Sequence, residues 1–302
     1  MSDVQWEGVM PAITTPFNED GSVDHVFLAE HASWMIDAGC TGMVPLGSLG
    51  EGATLDFDEK LAVLETLVGA IGDRVPIIPG IAALATHQAV ELAKGAQSKG
   101  CRGLMVLPPY VYQGTWEETR AHFDQVIGAT DLPCMLYNNP IAYGTDVSPE
   151  QMVELCAKHD NLRAMKDSGG DVRKVTANHA LHGDRVALFA GLDDMPFEAV
   201  HAGAVGWIGG LVNALPRESV ELLRLSLAGE RDAALALYAW FLPLLRLDTV
   251  PEFVQLIKLV QQEVGMGTER VRAPRRPISG PRREPLVTMV RERLATNPMK
   301  EA

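Results

Sequence analysis

A chain of 302 residues, 47% hydrophobic and 22% charged, is long enough to bury one large core with an appendage, or two modest domains. Its formal net charge of −13 argues against a nucleic-acid surface, because phosphate binding needs a concentrated positive field. Apolar runs broken by Gly, Pro or charge well before about 18 residues give no expectation of a membrane span, and the short polar stretch 1–6 gives none of a signal peptide.

Short runs rich in Val, Ile, Leu and Met predict strands at residues 8–17, 42–48, 75–82, 103–109, 132–140, 162–168, 186–194 and 203–211. Between them, helical spacing predicts helices at 26–38, 57–71, 86–99, 115–129, 149–158, 171–182 and 195–202. Asp56 and Ser148-Pro149 supply helix-start chemistry, and Gly39, Gly72 and Gly100 supply stops. The strands are apolar along nearly their whole length instead of alternating, which is what a parallel sheet covered on both faces requires. Eight such βα units predict an α/β fold, a (β/α)₈ TIM barrel. A doubly wound Rossmann sheet fits less well, since no G-x-G-x-x-G follows the first strand.

Beyond Ala214 the pattern is helical only, at 216–228, 230–247 with Pro243 inside, 250–264 and 283–295. Residues 1–214 are therefore assigned to the barrel strands and most of its helices. Residues 215–302 are assigned to the last barrel helix and a C-terminal helical extension. The one basic stretch, 270–283, is broken by Pro274, Pro277, Gly280 and Pro281 and reads as an ordered connector between two helices. Cys40, Cys101, Cys134 and Cys156 lie far apart, without CxxC or a histidine at ligand spacing, and read as reduced core thiols of a cytoplasmic protein.

In such a barrel the chemistry sits where polar residues close the strands. Lys166 closes the otherwise apolar run Leu162-Arg163-Ala164-Met165-Lys166, whereas the other lysines fall in helical or terminal stretches. Desolvation in a barrel mouth disfavours the ammonium and leaves an amine able to attack a carbonyl carbon. The alternative is a structural ion pair with Asp167 or with a group on a neighbouring strand. Tyr137, closing the preceding run, places a phenol beside that amine, suited to moving protons in Schiff-base chemistry; taken alone it reads as a core or rim aromatic. The turn Gly47-Ser48-Leu49-Gly50-Glu51-Gly52 offers backbone amides and a hydroxyl to a substrate carboxylate, and is equally readable as a tight turn. It has neither phosphate-loop nor G-x-S-x-G character. The eight histidines are scattered, and Asp193-Asp194 reads as a cap for the helix that follows, so no metal site and no cofactor is expected.

These positions resemble the dihydrodipicolinate synthase/N-acetylneuraminate lyase superfamily over nearly the whole chain. The matching motifs are the opening from Gly8-Val9-Met10-Pro11 to Thr15-Pro16-Phe17, Gly47-Ser48-Leu49-Gly50-Glu51, Tyr137-Asn138-Asn139-Pro140, Lys166-Asp167-Ser168, Gly191-Leu192-Asp193-Asp194, and Gly203-Ala204-Val205-Gly206-Trp207-Ile208. The resemblance implies that Lys166 forms the Schiff base and Tyr137 moves protons. It also implies that Gly47, Ser48, Leu49 and Ile208 border a small 2-oxo acid or cyclic imine, and that the barrel assembles as a homotetramer, a dimer of dimers.

Three departures bear on the substrate. Ser48-Leu49 stands where the synthases have two threonines, and Ala142 stands where they have an arginine. Val111 falls where a tyrosine is contributed across the dimer, flanked by Tyr110 and Tyr112, either of which could replace it. Together with Leu247-Asp248-Thr249-Val250-Pro251 and Val271-Arg272-Ala273-Pro274-Arg275, these features resemble a branch described as 1-pyrroline-4-hydroxy-2-carboxylate deaminases of hydroxyproline catabolism. The expectation from sequence is thus a Schiff-base deaminase. The alternatives are a pyruvate-dependent aldolase acting on a 2-oxo-3-deoxy sugar acid or 4-hydroxy-2-oxoglutarate, then a dihydrodipicolinate synthase, then a non-catalytic scaffold.

Overall fold

The apolar runs become parallel strands because both of their faces are covered: all five residues of the strand Cys134–Asn138 are buried. The computed structural model describes residues 4–300. Its strands are β1 (Gly8–Pro11), β2 (Gly80–Ile81), β3 (Leu104–Val106), β4 (Cys134–Asn138), β5 (Leu162–Asp167), β6 (Ala187–Ala190) and β7 (Gly206–Gly209), in the order β1-β7-β6-β5-β4-β3-β2.

The expected strand at 42–48 is not a regular one. Residues 43–45 fill its place through isolated parallel bridges, Ala12 to Val44 and Met43 to Ile77, which join the two ends of the curled sheet. Val44 N–H donates to Pro11 O at 2.9 Å and Gly80 N–H donates to Pro45 O at 2.8 Å. Pro11, Pro45 and Pro76, whose carbonyls accept across this seam, have no N–H to give in return, so the ladder on this side is reduced to isolated bridges.

The helices are α1 (His25–Asp37), α2 (Phe57–Ile71), α3 (Thr86–Ser98), α4 (Trp116–Ile127), the single turn α5 (Pro140–Tyr143), α6 (Pro149–Lys158), α7 (Val172–His182), α8 (Pro196–His201), α9 (Pro216–Leu227), α10 (Arg231–Leu245), α11 (Phe253–Glu263) and α12 (Arg283–Ala295). Helix-start chemistry acts as read from the sequence. Asp56 and Glu59 form a reciprocal capping box on α2, and Ser148 and Gln151 form one on α6. The result is the expected α/β barrel with a C-terminal helical extension. Trp240 of α10 donates to Arg293 O of α12 at 3.1 Å, tying the extension together. All four cysteines are free and buried, and burial pushes the thiols of Cys40, Cys101 and Cys134 up to about 12. Among the described residues no helix is long and apolar enough to cross a membrane.

Candidate active site

Strand alternation decides what faces the barrel interior. In the β4–β5 register Tyr137 lies opposite Lys166 and Asn138 opposite Asp167. The two pairs point to opposite sides of the sheet, because successive strand residues do. On one side Asn138 Nδ2 donates to Asp167 Oδ2 at 2.9 Å, and Gly169 N–H donates to Asp167 Oδ1 at 2.7 Å. On the other, Lys166 Nζ sits 4.3 Å from the centroid of the Tyr137 ring. The ion pair between Lys166 and Asp167 is therefore not formed: their side chains are on different faces, and Lys166 meets no carboxylate at salt-bridge distance among the described residues. Lys166 and Tyr137 are 5% and 6% exposed, so the amine and phenol share a site nearly closed to water.

A cavity of about 440 Å³ opens at this end of the barrel, and Gly47, Ser48, Leu49, Tyr137, Lys166 and Ile208 all line it. The six residues singled out in the sequence are thus brought together. The turn carrying three of them is held in an unusual shape: Leu46 and Glu51 adopt left-handed backbone angles, φ 64° and 52°. A Cβ on Gly52 would stand 2.1 Å from Leu46 O, so only glycine fits there. Among the described residues the amides of Ser48 and Leu49 have no acceptor, leaving two N–H groups on the cavity wall for an anion.

Below the turn, Glu51 is 1% exposed and bonded on both oxygens. Lys258 Nζ, from α11, donates to Oε1 at 2.7 Å, and Arg272 N–H donates to Oε2 at 3.0 Å. Arg275, which also lines the cavity, approaches Oε2 at 3.7 Å. The basic connector is ordered as expected, and it also reaches the site: Arg272 pairs with Glu59 in two bonds of 2.7 and 2.8 Å.

Two cavity groups, Tyr143 and Asp248, were given no role in the sequence reading. Tyr143, closing α5, bonds the Ser48 hydroxyl and meets the Tyr137 ring edge-on at 5.9 Å between centroids. Burial, then the neighbouring Tyr137, pushes its phenol up. Ser48, Tyr143 and Tyr137 thus line one wall of the cavity, the first two joined through their hydroxyls, while the Tyr137 hydroxyl beside Lys166 accepts from Asn139 Nδ2 at 2.8 Å and from Ser168 Oγ at 3.4 Å. Tyr143 lies three residues past the run Tyr137 to Pro140, and nothing in its spacing showed that it turns inward. Of the two flanking tyrosines, Tyr110 lines the cavity 5.7 Å from Tyr143, whereas Tyr112 is 53% exposed and donates to Glu118. The expected helix cap is corrected: Asp193 does not cap α8. It is fully buried and accepts from the indole of Trp207 at 3.2 Å and the amides of Gly210 and Leu211 at 2.9 and 2.6 Å, fixing the end of β7. Met195 holds the cap position without a side-chain bond. Asp248, from the extension, also lines the cavity.

The model of the Dihydrodipicolinate synthetase family matches residues 5–293. A 4-hydroxy-tetrahydrodipicolinate synthase of Agrobacterium fabrum is 35% identical over 269 residues, 89% of this chain and 92% of that one. One from Geotalea daltonii is 32% identical over 95% of this chain and 98% of its own. Among solved structures, the synthase of Methylacidiphilum fumariolicum SolV superposes with a TM-score of 0.92 at 27% identity, covering 97% of each chain. A prophage protein of E. coli K12 from the same family, in complex with pyruvate, gives 0.90 at 28% identity, covering 95% of this chain and 98% of that one. These relatives overturn the deaminase expectation, since the name they carry is that of the synthase. The physical reason is that the lysine, the tyrosine and the anion turn serve any reaction passing through a lysine imine, so motifs built on them do not separate one such reaction from another. With a family model matched across nearly its full length and relatives above 30% identity over most of both chains, the protein belongs to the dihydrodipicolinate synthetase family.

Proposed function

We propose that this protein is a lysine Schiff-base lyase that makes or breaks a carbon–carbon bond beside a 2-oxo acid, with pyruvate as the imine-forming substrate. The observation that carries the reading is Lys166: a buried amine at the end of β5, in register with Tyr137, free of a carboxylate partner and open to a cavity. Nζ adds to C2 of pyruvate, and the carbinolamine loses water when a proton reaches its oxygen. Tyr137, Tyr143 and Ser48 supply and recover that proton. The amides of Ser48 and Leu49 take the pyruvate carboxylate. Removing a methyl proton from the imine then gives an enamine, the carbon nucleophile.

The product named in the relatives, 4-hydroxy-tetrahydrodipicolinate, separates chemically, on addition of one water across its cyclic imine, into pyruvate and a four-carbon amino aldehyde, aspartate 4-semialdehyde. That aldehyde is the first electrophile to test. Ala142 favours a second reading: a small exposed side chain, where an arginine would hold a distal carboxylate, suits an aldolase taking a simpler aldehyde into 4-hydroxy-2-oxoglutarate or a 2-oxo-3-deoxy acid. We read Leu84 and Val111, 71% and 73% exposed beside the Tyr110 side of the barrel, as a contact between copies in a homotetramer. Borohydride reduction with pyruvate, followed by peptide mass mapping, tests the imine. Label on Lys166, absent in Lys166→Ala, is expected; a wild-type protein left unlabelled overturns the proposal.

A further inference from the structure

Asp248 ends the short 3₁₀ turn Arg246–Asp248 that follows α10, and it enters the barrel mouth from the extension. Its Oδ1 is out of contact with solvent and meets no hydrogen-bond donor among the described residues. A Cβ built on Gly210 would stand 2.1 Å from that oxygen and 3.0 Å from Leu49 Cδ2, so the carboxyl lies against a bare backbone position at the end of β7. In the ring of strands, β7 is two places from the β5 of Lys166, in the direction away from the β4 of Tyr137. The amine is therefore flanked by phenols on one side and by this carboxyl on the other.

Asp248 as a whole is half-buried, but a carboxyl oxygen shut away from water without a donor is costly, and folded proteins retain such groups where they do chemistry. We propose that Asp248 is a further catalytic residue, the acid that protonates the aldehyde oxygen when the Lys166-bound enamine attacks. The proposal rests on the Schiff-base reading above. In the step, C3 of the enamine forms a bond to the aldehyde carbon and the C=O π pair moves onto oxygen. That oxygen takes the proton of Asp248, leaving a carboxylate, and the nitrogen lone pair re-forms the iminium on Lys166. Water then hydrolyses the iminium, releasing the product as a 2-oxo acid, and Asp248 regains a proton from solvent.

The neighbouring Asp193 explains why the proton resides on Asp248. Asp193 is surrounded by three N–H groups that favour its charged form. Asp248 has none, and its charge is opposed by burial first and by Asp193 next, with Lys166 and Asp194 the other charged groups facing it. Burial raises the carboxyl of Asp193 as well, so the site contains two carboxyls of which the better solvated by donors keeps the charge.

The test separates imine formation from bond formation in Asp248→Asn. Two readouts report the imine alone: borohydride trapping of pyruvate, and exchange of the pyruvate methyl protons in D₂O without aldehyde. A third is condensation of pyruvate with aspartate 4-semialdehyde or with glyoxylate. The variant is expected to keep trapping and exchange within a few-fold of wild type while condensation falls at least about 100-fold. Condensation within about threefold of wild type overturns the role, as does a parallel loss of trapping, which marks a structural residue. A wild type that traps pyruvate but joins it to neither aldehyde also overturns it. A wild type that does not trap at all refutes instead the Schiff-base reading itself.

Discussion

Replacing Lys258 by Met should destabilise the protein far more than the loss of one surface lysine. The residue is 1% exposed, and its ammonium donates to Thr15 O at 2.8 Å, Glu51 Oε1 at 2.7 Å and Arg270 O at 2.7 Å. Burial disfavours that ammonium and Glu51 sustains it. Met fills a similar volume but donates nothing, so Glu51 is left as a buried carboxylate with the Arg272 amide at 3.0 Å and Arg275 at 3.7 Å. Breaking one partner of a buried pair costs about 3–5 kcal/mol, because the remaining charge is uncompensated. For a chain of this size the thermal midpoint should fall by on the order of 10 °C. Unfolding curves of wild type, Lys258→Met, Glu51→Gln and the double variant provide the assay. The double variant should lose less than the sum of the singles by at least about 1 kcal/mol, since neutralising Glu51 removes the orphaned charge. Because Glu51 anchors the turn that carries Ser48 and Leu49, the single variant should also raise KM for pyruvate more than it lowers kcat. A loss under about 1 kcal/mol with additive behaviour would refute the reasoning.

Tyr143→Phe removes the hydroxyl bonded to Ser48 while preserving the ring contacts with Tyr137 and Tyr110; kcat should drop by about 10²-fold with the fold intact, and unchanged steady-state turnover would remove Tyr143 from the proton path. His31 should set part of the acid limit of stability. It donates Nε2–H to Asn213 O at 2.8 Å, Nδ1 is buried without a partner, and burial holds the ring down to about 4. Between about pH 6.5 and 4 the unfolded chain binds a proton that the folded one refuses, so stability falls as pH drops through that window, by about 3 kcal/mol when complete. His31→Gln should narrow the loss between pH 7 and 4.5 by about 2 kcal/mol in denaturant titrations, and an unchanged pH dependence would show that His31 is protonated without penalty.

How much of this was legible in the sequence depends on whether a residue's direction follows from periodicity. Lys166 and Tyr137 could be read because a polar residue interrupting an apolar strand has only two faces to choose from, and the register then pairs them. The run at 42–48 looked as apolar as the others, but Pro45 and the prolines opposite it reduce its ladder to bridges. Asp193-Asp194 ahead of Pro196 carries the chemistry of a helix start, but Asp193 accepts instead from the buried amides of Gly210 and Leu211 at the end of β7, while Pro196 at the head of α8 has no N–H to offer it. Tyr143 and Asp248 sit on one-turn elements, too short to show a face, and reach the site only through tertiary packing.

The same asymmetry shows what the extension contributes. Lys258, Arg272, Arg275 and Asp248 all follow residue 214, yet Arg275 and Asp248 line the cavity, and Lys258 and Arg272 bond directly to Glu51 of its turn. Glu51, in its left-handed position beneath the free amides of Ser48 and Leu49, has no compensating cation from the barrel strands: the partners of its carboxylate oxygens are Lys258, Arg272 and Arg275, all later than residue 214. A buried carboxylate left without its cations would be driven toward water, and the turn would have to open to let it out. The proposed anion site and the proposed acid therefore depend on the helical extension, although Lys166, the proposed Schiff-base lysine, belongs to the barrel strand β5.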